Sequence, residues 1–426
     1  MPQSYERSRW SGRPTRGLAA LALVVCLSPT SPVAAQTLID ARSWGANGTV
    51  FTVVETPDVI YVGGSFTMIR PVTGQGAQLD LATGQADLNF PRLNVGGQIT
   101  AVAPDGAGGW YIGGDFSLVG AESRISLAHI QSDGTVSDWA PEVKLGSGTF
   151  EFNGDVYAIS VTGSTVYIGG NFSHVDGQLR SCLAAIDRVT GDVAAWGPGT
   201  AGKAVRALVV DGSTAYVGGE FTSIGGETRN YIAAVDAGTG AILPWDPSAS
   251  SFVRCLAVEP GAIYVGGNFT SIGGQSRSRI AELDPASGTA TSWDPAADNT
   301  VFTLDVDGAS VYAGGSFLTI GGASRTRLAE LDAATGLATG WNPVLNGGVY
   351  DLAVGASEVY VGGSFSSPRR QIVAFGRSDG MPTSWDPSAN ADVFALALTD
   401  DALFAGGQFT SIGGVRRNHI AALDAR

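Results

Sequence analysis

Tyr264-Val265-Gly266-Gly267-Asn268-Phe269-Thr270-Ser271-Ile272-Gly273-Gly274 is the stretch that decides the fold. Tyr216 to Gly226 repeats it with one change, Glu220 for Asn268. The Gly-Gly-x-Phe core recurs at Gly63, Gly113, Gly169, Gly218, Gly266, Gly314, Gly362 and Gly406, each time after a hydrophobic pair led by Tyr or, once, by Phe404. Successive copies lie 44 to 56 residues apart, so nearly all of the 426 residues are one unit written eight times. A period of that length marks a repeat architecture.

Unit six shows what each copy encodes. Val301-Phe302-Thr303-Leu304-Asp305-Val306 alternates like a strand, Asp307-Gly308 is a turn pair, and Ser310 to Gly315 is a second short run of β-formers. After the Gly-rich loop Phe317 to Arg325, a third run covers Arg327 to Leu331. It stops at Asp332-Ala333-Ala334-Thr335-Gly336, and a fourth leads to Trp341-Asn342-Pro343. No segment keeps a helical hydrophobic period over ten or more residues. Four short strands per unit at this spacing describe propeller blades, so the expectation is an all-β, eight-bladed β-propeller of four-stranded blades.

The ends of the chain bear on closure. The eighth unit stops at Leu423-Asp424-Ala425-Arg426, where a fourth strand is due, and Ile39-Asp40-Ala41-Arg42-Ser43-Trp44 aligns with the Trp341 strand. This N-terminal strand is expected to complete the last blade and close the ring, leaving no open sheet edge. Trp44, Trp139, Trp196, Trp245, Trp293, Trp341 and Trp385 then hold one repeat position, with Phe90 in the remaining blade. Packing between neighbouring blades is the expected role of that series.

The string Tyr-Val-Gly-Gly-x-Phe-Thr-Ser-Ile-Gly-Gly, with Ile-Ala-x-Leu-Asp and then Trp-x-Pro, resembles the delta-sixty type β-propeller repeat over about nine-tenths of the chain. The resemblance implies a bacterial extracytoplasmic propeller without an established activity, and related repeats occur in fungal cortical cell-polarity markers. The first unit departs most, with Arg70-Pro71-Val72-Thr73 in place of Gly-Gly-x-x-Arg, and the seventh has a shortened loop at Ser366-Ser367-Pro368. Ala234 to Gly240 followed by Trp245 is also similar to the tryptophan-docking motif of eight-bladed quinoprotein dehydrogenases. There Trp follows Gly after three residues and here after four, and the adjacent Cys pair of those enzymes is missing. Shared blade packing accounts for the likeness, and no cofactor is expected.

Residues 1–35 read differently from the rest. Arg7, Arg9, Arg13 and Arg16 precede an apolar stretch, Leu18 to Leu27, and Val33-Ala34-Ala35 stands before Gln36. That order is a secretory signal, too short to span a bilayer, so cleavage after Ala35, a secreted or periplasmic location and a single propeller over 36–426 are expected. Without the signal the chain carries 21 basic and 38 acidic residues, a net charge of −17. Nucleic acid and anionic membrane surfaces, which require clustered basic residues, are excluded as expected partners. Cys182 and Cys255 lie in different units and set up no disulfide framework.

Chemistry is sparse. His129, His174 and His419 occupy three different repeat positions, so they are read as isolated, and no metal site is expected. The recurring Asp80, Asp187, Asp236, Asp284, Asp332 and Asp424 each open a tight turn in which a carboxylate accepts backbone N–H bonds. Arg124, Arg180, Arg229, Arg277, Arg325 and Arg417 follow the Gly-rich loop, where a repeated structural bond or a cation–π contact with the Trp series is expected.

Topology favours one face. The first-to-second and third-to-fourth turns are tight and share one end of the ring; the Gly-rich loops and the links between blades are long and share the other. Long loops on a rigid scaffold carry function. The largest departure from the period, Glu142 to Asp155, puts Phe150 and Phe152 on that face, and Phe51, Thr100, Tyr157, Arg206, Arg254, Phe302, Tyr350 and Phe394 sit at the same end of the innermost strands, where they either pack between blades or line a ligand-binding mouth; Phe150, Phe152 and the set from Tyr157 to Phe394 are the candidate binding face. Two function classes remain. One is a monomeric scaffold that binds a protein or glycan there without catalysis; the other is a hydrolase, lyase or dehydrogenase with its site at the channel mouth. Glu151, Asp305 and Asp351 are the carboxylates that break the repeat and would serve the second.

Overall fold

The computed structural model describes residues 97–146, 151–201, 203–399 and 402–413 with their side chains. Elsewhere it describes chiefly the strand backbones Trp44–Ala46, Val50–Glu55, Val59–Gly64, Met68–Pro71, Gly76–Asp80, Val415–Arg416 and Ile420–Asp424, with the ends of Val143–Ser147 and Phe150–Asn153. All of these lie in one compact unit, Ile39–Arg426. No helix is long and apolar enough to cross a membrane among the described residues.

Each unit folds as its alternation dictates. An innermost strand turns tightly into a second, largely buried strand, and a third strand pairs along the other edge of the second. We label the resulting blades A to G by their innermost strands: Gln98–Pro104, Asp155–Thr162, Val205–Asp211, Val253–Glu259, Val301–Asp307, Val349–Val354 and Val393–Leu398. Glycine makes the first turns possible, as at Gly212 and Gly308, whose φ values of 55° and 62° lie in the left-handed region. Four strands per blade were expected. The fourth is reduced to a single antiparallel bridge, such as Leu331 with Ala338 in blade E and Val235 with Ile242 in blade C. The Gly-rich loop instead forms a two-residue hairpin of its own, for example Thr319–Ile320 with Ala323–Ser324. The chain spends its hydrogen bonds on that side excursion and not on a long outer strand.

The two glycines of Gly-Gly-x-Phe do different jobs. A Cβ on Gly314 would come within 2.4 Å of Val349 in the next blade, and one on Gly315 within 2.2 Å of the Thr300 carbonyl in its own sheet. The first glycine therefore sets how closely blades approach, and the second admits an irregular start to the innermost strand. The Phe that follows is buried in every described blade, from Phe116 to Phe409.

The ring closes in a way the repeat count does not give. Blade G contacts blade A directly: a Cβ on Gly406 would meet Ile99 at 2.5 Å, Trp110 packs 5.6 Å from Phe404, and Gln408 Nε2 donates to Gln98 Oε1 at 3.1 Å. Among the described residues seven innermost strands therefore follow one another round the ring, where eight were expected. The third strand of blade G is Gly76–Asp80, antiparallel to Ala402–Gly407, with Leu79 buried opposite Leu403. The first hairpin, Val50–Glu55 with Val59–Gly64, takes Ile420–Asp424 as its own third strand in a separate sheet. Trp44–Ala46 does not complete the last blade; it pairs with Met68–Pro71. The physical reason is interchangeability: Ala77-Gln78-Leu79-Asp80 and Ala421-Ala422-Leu423-Asp424 carry the same sequence pattern, so either can serve as a third strand.

The Trp series packs between blades, as expected. Trp341 meets Tyr312 edge to face at 5.5 Å and donates Nε1–H to Gly376 O of the next blade at 2.9 Å. Trp139, Trp196, Trp245 and Trp293 make the same bond to Asp187, Asp236, Asp284 and Asp332. Phe90 and the Trp44 side chain lie outside the described residues. The Arg series makes the structural bond: Arg180 Nη2 donates to Ala194 O at 2.6 Å and Arg229 Nη2 to Leu243 O at 3.1 Å. Arg417 lies outside the described residues. The Asp series caps its turns, as when Asp332 accepts from the N–H of Ala334 and Thr335.

Candidate functional site

Every innermost strand slips register by one residue at its start. The shift falls between Ile99 and Ala101, Val156 and Ala158, Val205 and Ala207, Val253 and Cys255, Val301 and Thr303, Val349 and Asp351, and Val393 and Ala395. The residues passed over are Thr100, Tyr157, Arg206, Arg254, Phe302, Tyr350 and Phe394. A bulge leaves its extra residue out of the ladder and re-aims its side chain. All seven line one cavity of about 610 Å³ at the head of the central channel. The second glycine of the repeat, which makes room for the bulge, thus also aims the mouth.

Six of the eight residues expected from sequence are brought together here: Tyr157, Arg206, Arg254, Phe302, Tyr350 and Phe394. Phe152 is not among them. It stands 67% exposed on the hairpin Val143–Ser147 with Phe150–Asn153, a strand pair of the long link, and does not line the cavity. The side chain of Phe150 lies outside the described residues.

The mouth has two unlike halves. On blades B to D, the Arg206 guanidinium lies 4.0 Å from the Tyr157 ring centre and reaches Glu220 Oε1 through Nε at 2.9 Å and Nη2 at 2.8 Å. Burial pushes the Tyr157 hydroxyl up to about 12, Asp155 adding to the effect and Arg206 opposing it. Arg254 donates Nε–H to Asn268 Oδ1 at 3.2 Å and sits 5.8 Å from the Phe252 ring centre. Burial, reinforced by the charge of Arg206, holds its guanidinium below the usual arginine value. On blades E to G the rings run on: Phe302 to Tyr350 at 5.9 Å and Tyr350 to Phe394 at 5.5 Å, both tilted.

Below the mouth lies a polar arc of which sequence reasoning singled out Asp351 alone. Four blades place alanine one residue past the bulge, at Ala101, Ala158, Ala207 and Ala395, but three consecutive blades place Cys255, Thr303 and Asp351 there. That run of exceptions at an alanine position was the available signal. Asp351 Oδ1 accepts from Thr303 Oγ1 and Leu352 N, both at 2.9 Å, and Oδ2 from Leu396 N at 2.7 Å. Burial pushes its carboxyl up to about 6 against the pull of those bonds, and burial also raises the Cys255 thiol. Asp305 accepts from Val306 N and Val354 N, both at 2.9 Å, and burial raises it too. Both carboxylates stitch neighbouring innermost strands together. Glu151 is exposed and lies 3.4 Å from Lys144 Nζ.

One histidine departs from the expectation of isolation. His129 Nε2 lies 3.0 Å from Asp105 Oδ2, and its Nδ1 lies 3.2 Å from Ser137 Oγ. Spacing along the chain hid this because the third strand and its bridge bring positions 129 and 137 side by side. The constellation repeats a structural theme, since Glu330 with Thr339 occupies the same place in blade E. Ser137 and Thr339 each accept the N–H of the following Trp, Trp139 and Trp341. Among the described residues no group of three or more His, Cys, Asp or Glu is placed to hold a metal ion.

A family model described as a beta-propeller domain of unknown function (DUF5122) matches residues 261–290, which fall in blade D and include the stretch Tyr264 to Gly274. No curated protein matches. Among solved structures the chain is similar to one titled "Crystal Structure of Mitotic Checkpoint Complex", at 14% identity over 90% of this chain and 98% of that one, with a TM-score of 0.50. It is also similar to a computationally designed protein, Ika8, at 15% identity over 88% of this chain and 97% of that one, with a TM-score of 0.49. At such identity the first likeness speaks to fold alone. Repeat, sheets and likeness together make this chain an all-β protein of the β-propeller kind.

Proposed function

We propose that this chain is a secreted or periplasmic binding scaffold of the delta-sixty repeat type, which captures a protein or glycan at the mouth formed by the bulged residues, without catalysis. One observation carries the reading. Seven copies of one bulge geometry present side chains of four kinds, one Thr, two Tyr, two Arg and two Phe, at the head of strands that otherwise follow one repeat pattern. A scaffold that fixes position and varies chemistry is how recognition is built on a rigid frame. Export is supported by the order of basic, apolar and small residues over 1–35. Asp305 and Asp351 already accept backbone N–H bonds, which favours binding over acid–base chemistry as the use of this channel.

The reading is tested by replacing Tyr350 and Phe394 with Ser and probing a glycan and envelope-protein array. Binding of the partner that the parent retains should fall about tenfold or more, because aromatic anchors carry most of the energy of such sites. The far-UV spectrum should stay that of the parent. Binding that survives this change but is lost in Phe152→Ser would move the site to the long-link hairpin.

A further inference from the structure

The two arginines of the mouth hold equivalent places in adjacent blades and differ in how they are partnered. Arg206 has a counter-charge: its guanidinium is stacked on Tyr157, and Glu220 Oε1 accepts from both Nε and Nη2. Arg254 has at the same relative position not a carboxylate but the amide of Asn268, which accepts from Nε alone. Asn268 is itself oriented, its Nδ2 donating to Thr300 Oγ1 at 2.8 Å. The Nη edge of Arg254 has no ion-pair or hydrogen-bond partner among the described residues, although the side chain is recessed in the cavity. The charges that act on it are Arg206, which repels, and Glu220 and Cys255, which attract; Glu220 is already paired with Arg206, and burial disfavours the Cys255 thiolate. A recessed guanidinium without a counter-charge is costly unless an anion completes it, and its planar fork matches a carboxylate.

The wall formed by the next three blades is aromatic. Phe302, Tyr350 and Phe394 give a continuous apolar rim on which the flat face of a ring can lie. The cavity, about 610 Å³, is of a size for one or two rings and far too small for a folded domain. We infer that the mouth takes a small ring-bearing carboxylate, its acid group on the Nη edge of Arg254 and its ring against the aromatic wall. This rests on the mouth being the binding site. The same chemistry comes from two sources, the uronic acid end of a glycan and an aromatic acid, and the experiment separates them.

Titration calorimetry on the full chain would use digalacturonate, its methyl ester and phenylpropionate. One of the two acids should bind saturably, and removing its charge should weaken it about tenfold or more. The ester serves for the sugar and phenylpropanamide for the aromatic acid. Arg254→Gln should erase that difference between acid and neutral form. Asn268→Asp, which gives Arg254 the counter-charge that Arg206 already has, should erase it as well, and it serves if the first variant folds poorly. Equal binding of acid and neutral form overturns the carboxylate while leaving the mouth reading in place, as does failure of both acids to bind when an array ligand is still lost in the Tyr350 and Phe394 variant. A charge preference that persists in both Arg254→Gln and Asn268→Asp overturns the assignment of Arg254.

Discussion

At the scale of the residue, Asp351 shows how a repeat absorbs an exception. A carboxyl raised from 3.8 to about 6 takes up a proton more readily in the folded chain than in the unfolded one, so ionising it works against the fold. Its contribution to stability is therefore highest at acid pH and declines as pH rises through about 6. Two pKa units correspond to roughly 3 kcal/mol as an upper figure. Asp351→Ala, the residue four sibling blades carry, should flatten this part of the profile. Between about pH 4.5 and about pH 7.5 the parent should lose more melting temperature than the variant does. Parallel profiles would show that Asp351 keeps an ordinary carboxyl. Asp105 acts in the opposite sense. Burial works to raise it, but the hydrogen bonds from His129 and from the N–H of Ala107 and Gly109 outweigh burial and hold it below its usual value, so its contribution is lost on acidification.

At the scale of the element, the Trp at the end of a unit ties one blade to the next, as Trp139, Trp196, Trp245, Trp293 and Trp341 do. Trp341 is 5% exposed, meets both Tyr312 and Phe375 edge on, and bonds the Gly376 carbonyl. Trp341→Ala should cost roughly 3 to 5 kcal/mol in urea unfolding, and a loss under about 1 kcal/mol would show that the ring is not packed there. This much was legible in sequence, because a large aromatic at a fixed offset has few other uses in a sheet. The innermost and second strands were legible for the same reason, through alternation and the Asp-Gly turns. The bulge was not. Nothing in Val301-Phe302-Thr303 marks Phe302 as the residue outside the ladder; only the contact of Gly315 with the Thr300 carbonyl shows why the register must slip. Six mouth residues were still found, because their place in the repeat is fixed even when their geometry is unknown. Phe152 was grouped with them only because it shares a loop-rich end.

At the scale of the whole molecule, counting units does not say which strands share a sheet. Closure by Trp44 followed from aligning one strand type, whereas the structure closes blade G with Gly76–Asp80. Leu79→Ala should therefore cost about 2 to 5 kcal/mol, and deleting Thr37 to Ala46 should lower the melting temperature much less. A deletion as damaging as Leu79→Ala would return the closing role to the Trp44 segment.

The seam also has a history. Gly76–Asp80 leaves the ribosome more than 300 residues before the strand it pairs with, Ala402–Gly407. Until then its ladder groups have no native partner in blade G, and every blade made in between can assemble while the circle stays open. Completion waits on a contact of very long sequence separation, which makes the last step slow. An unpaired edge carried through the whole of synthesis invites wrong pairing with other nascent chains.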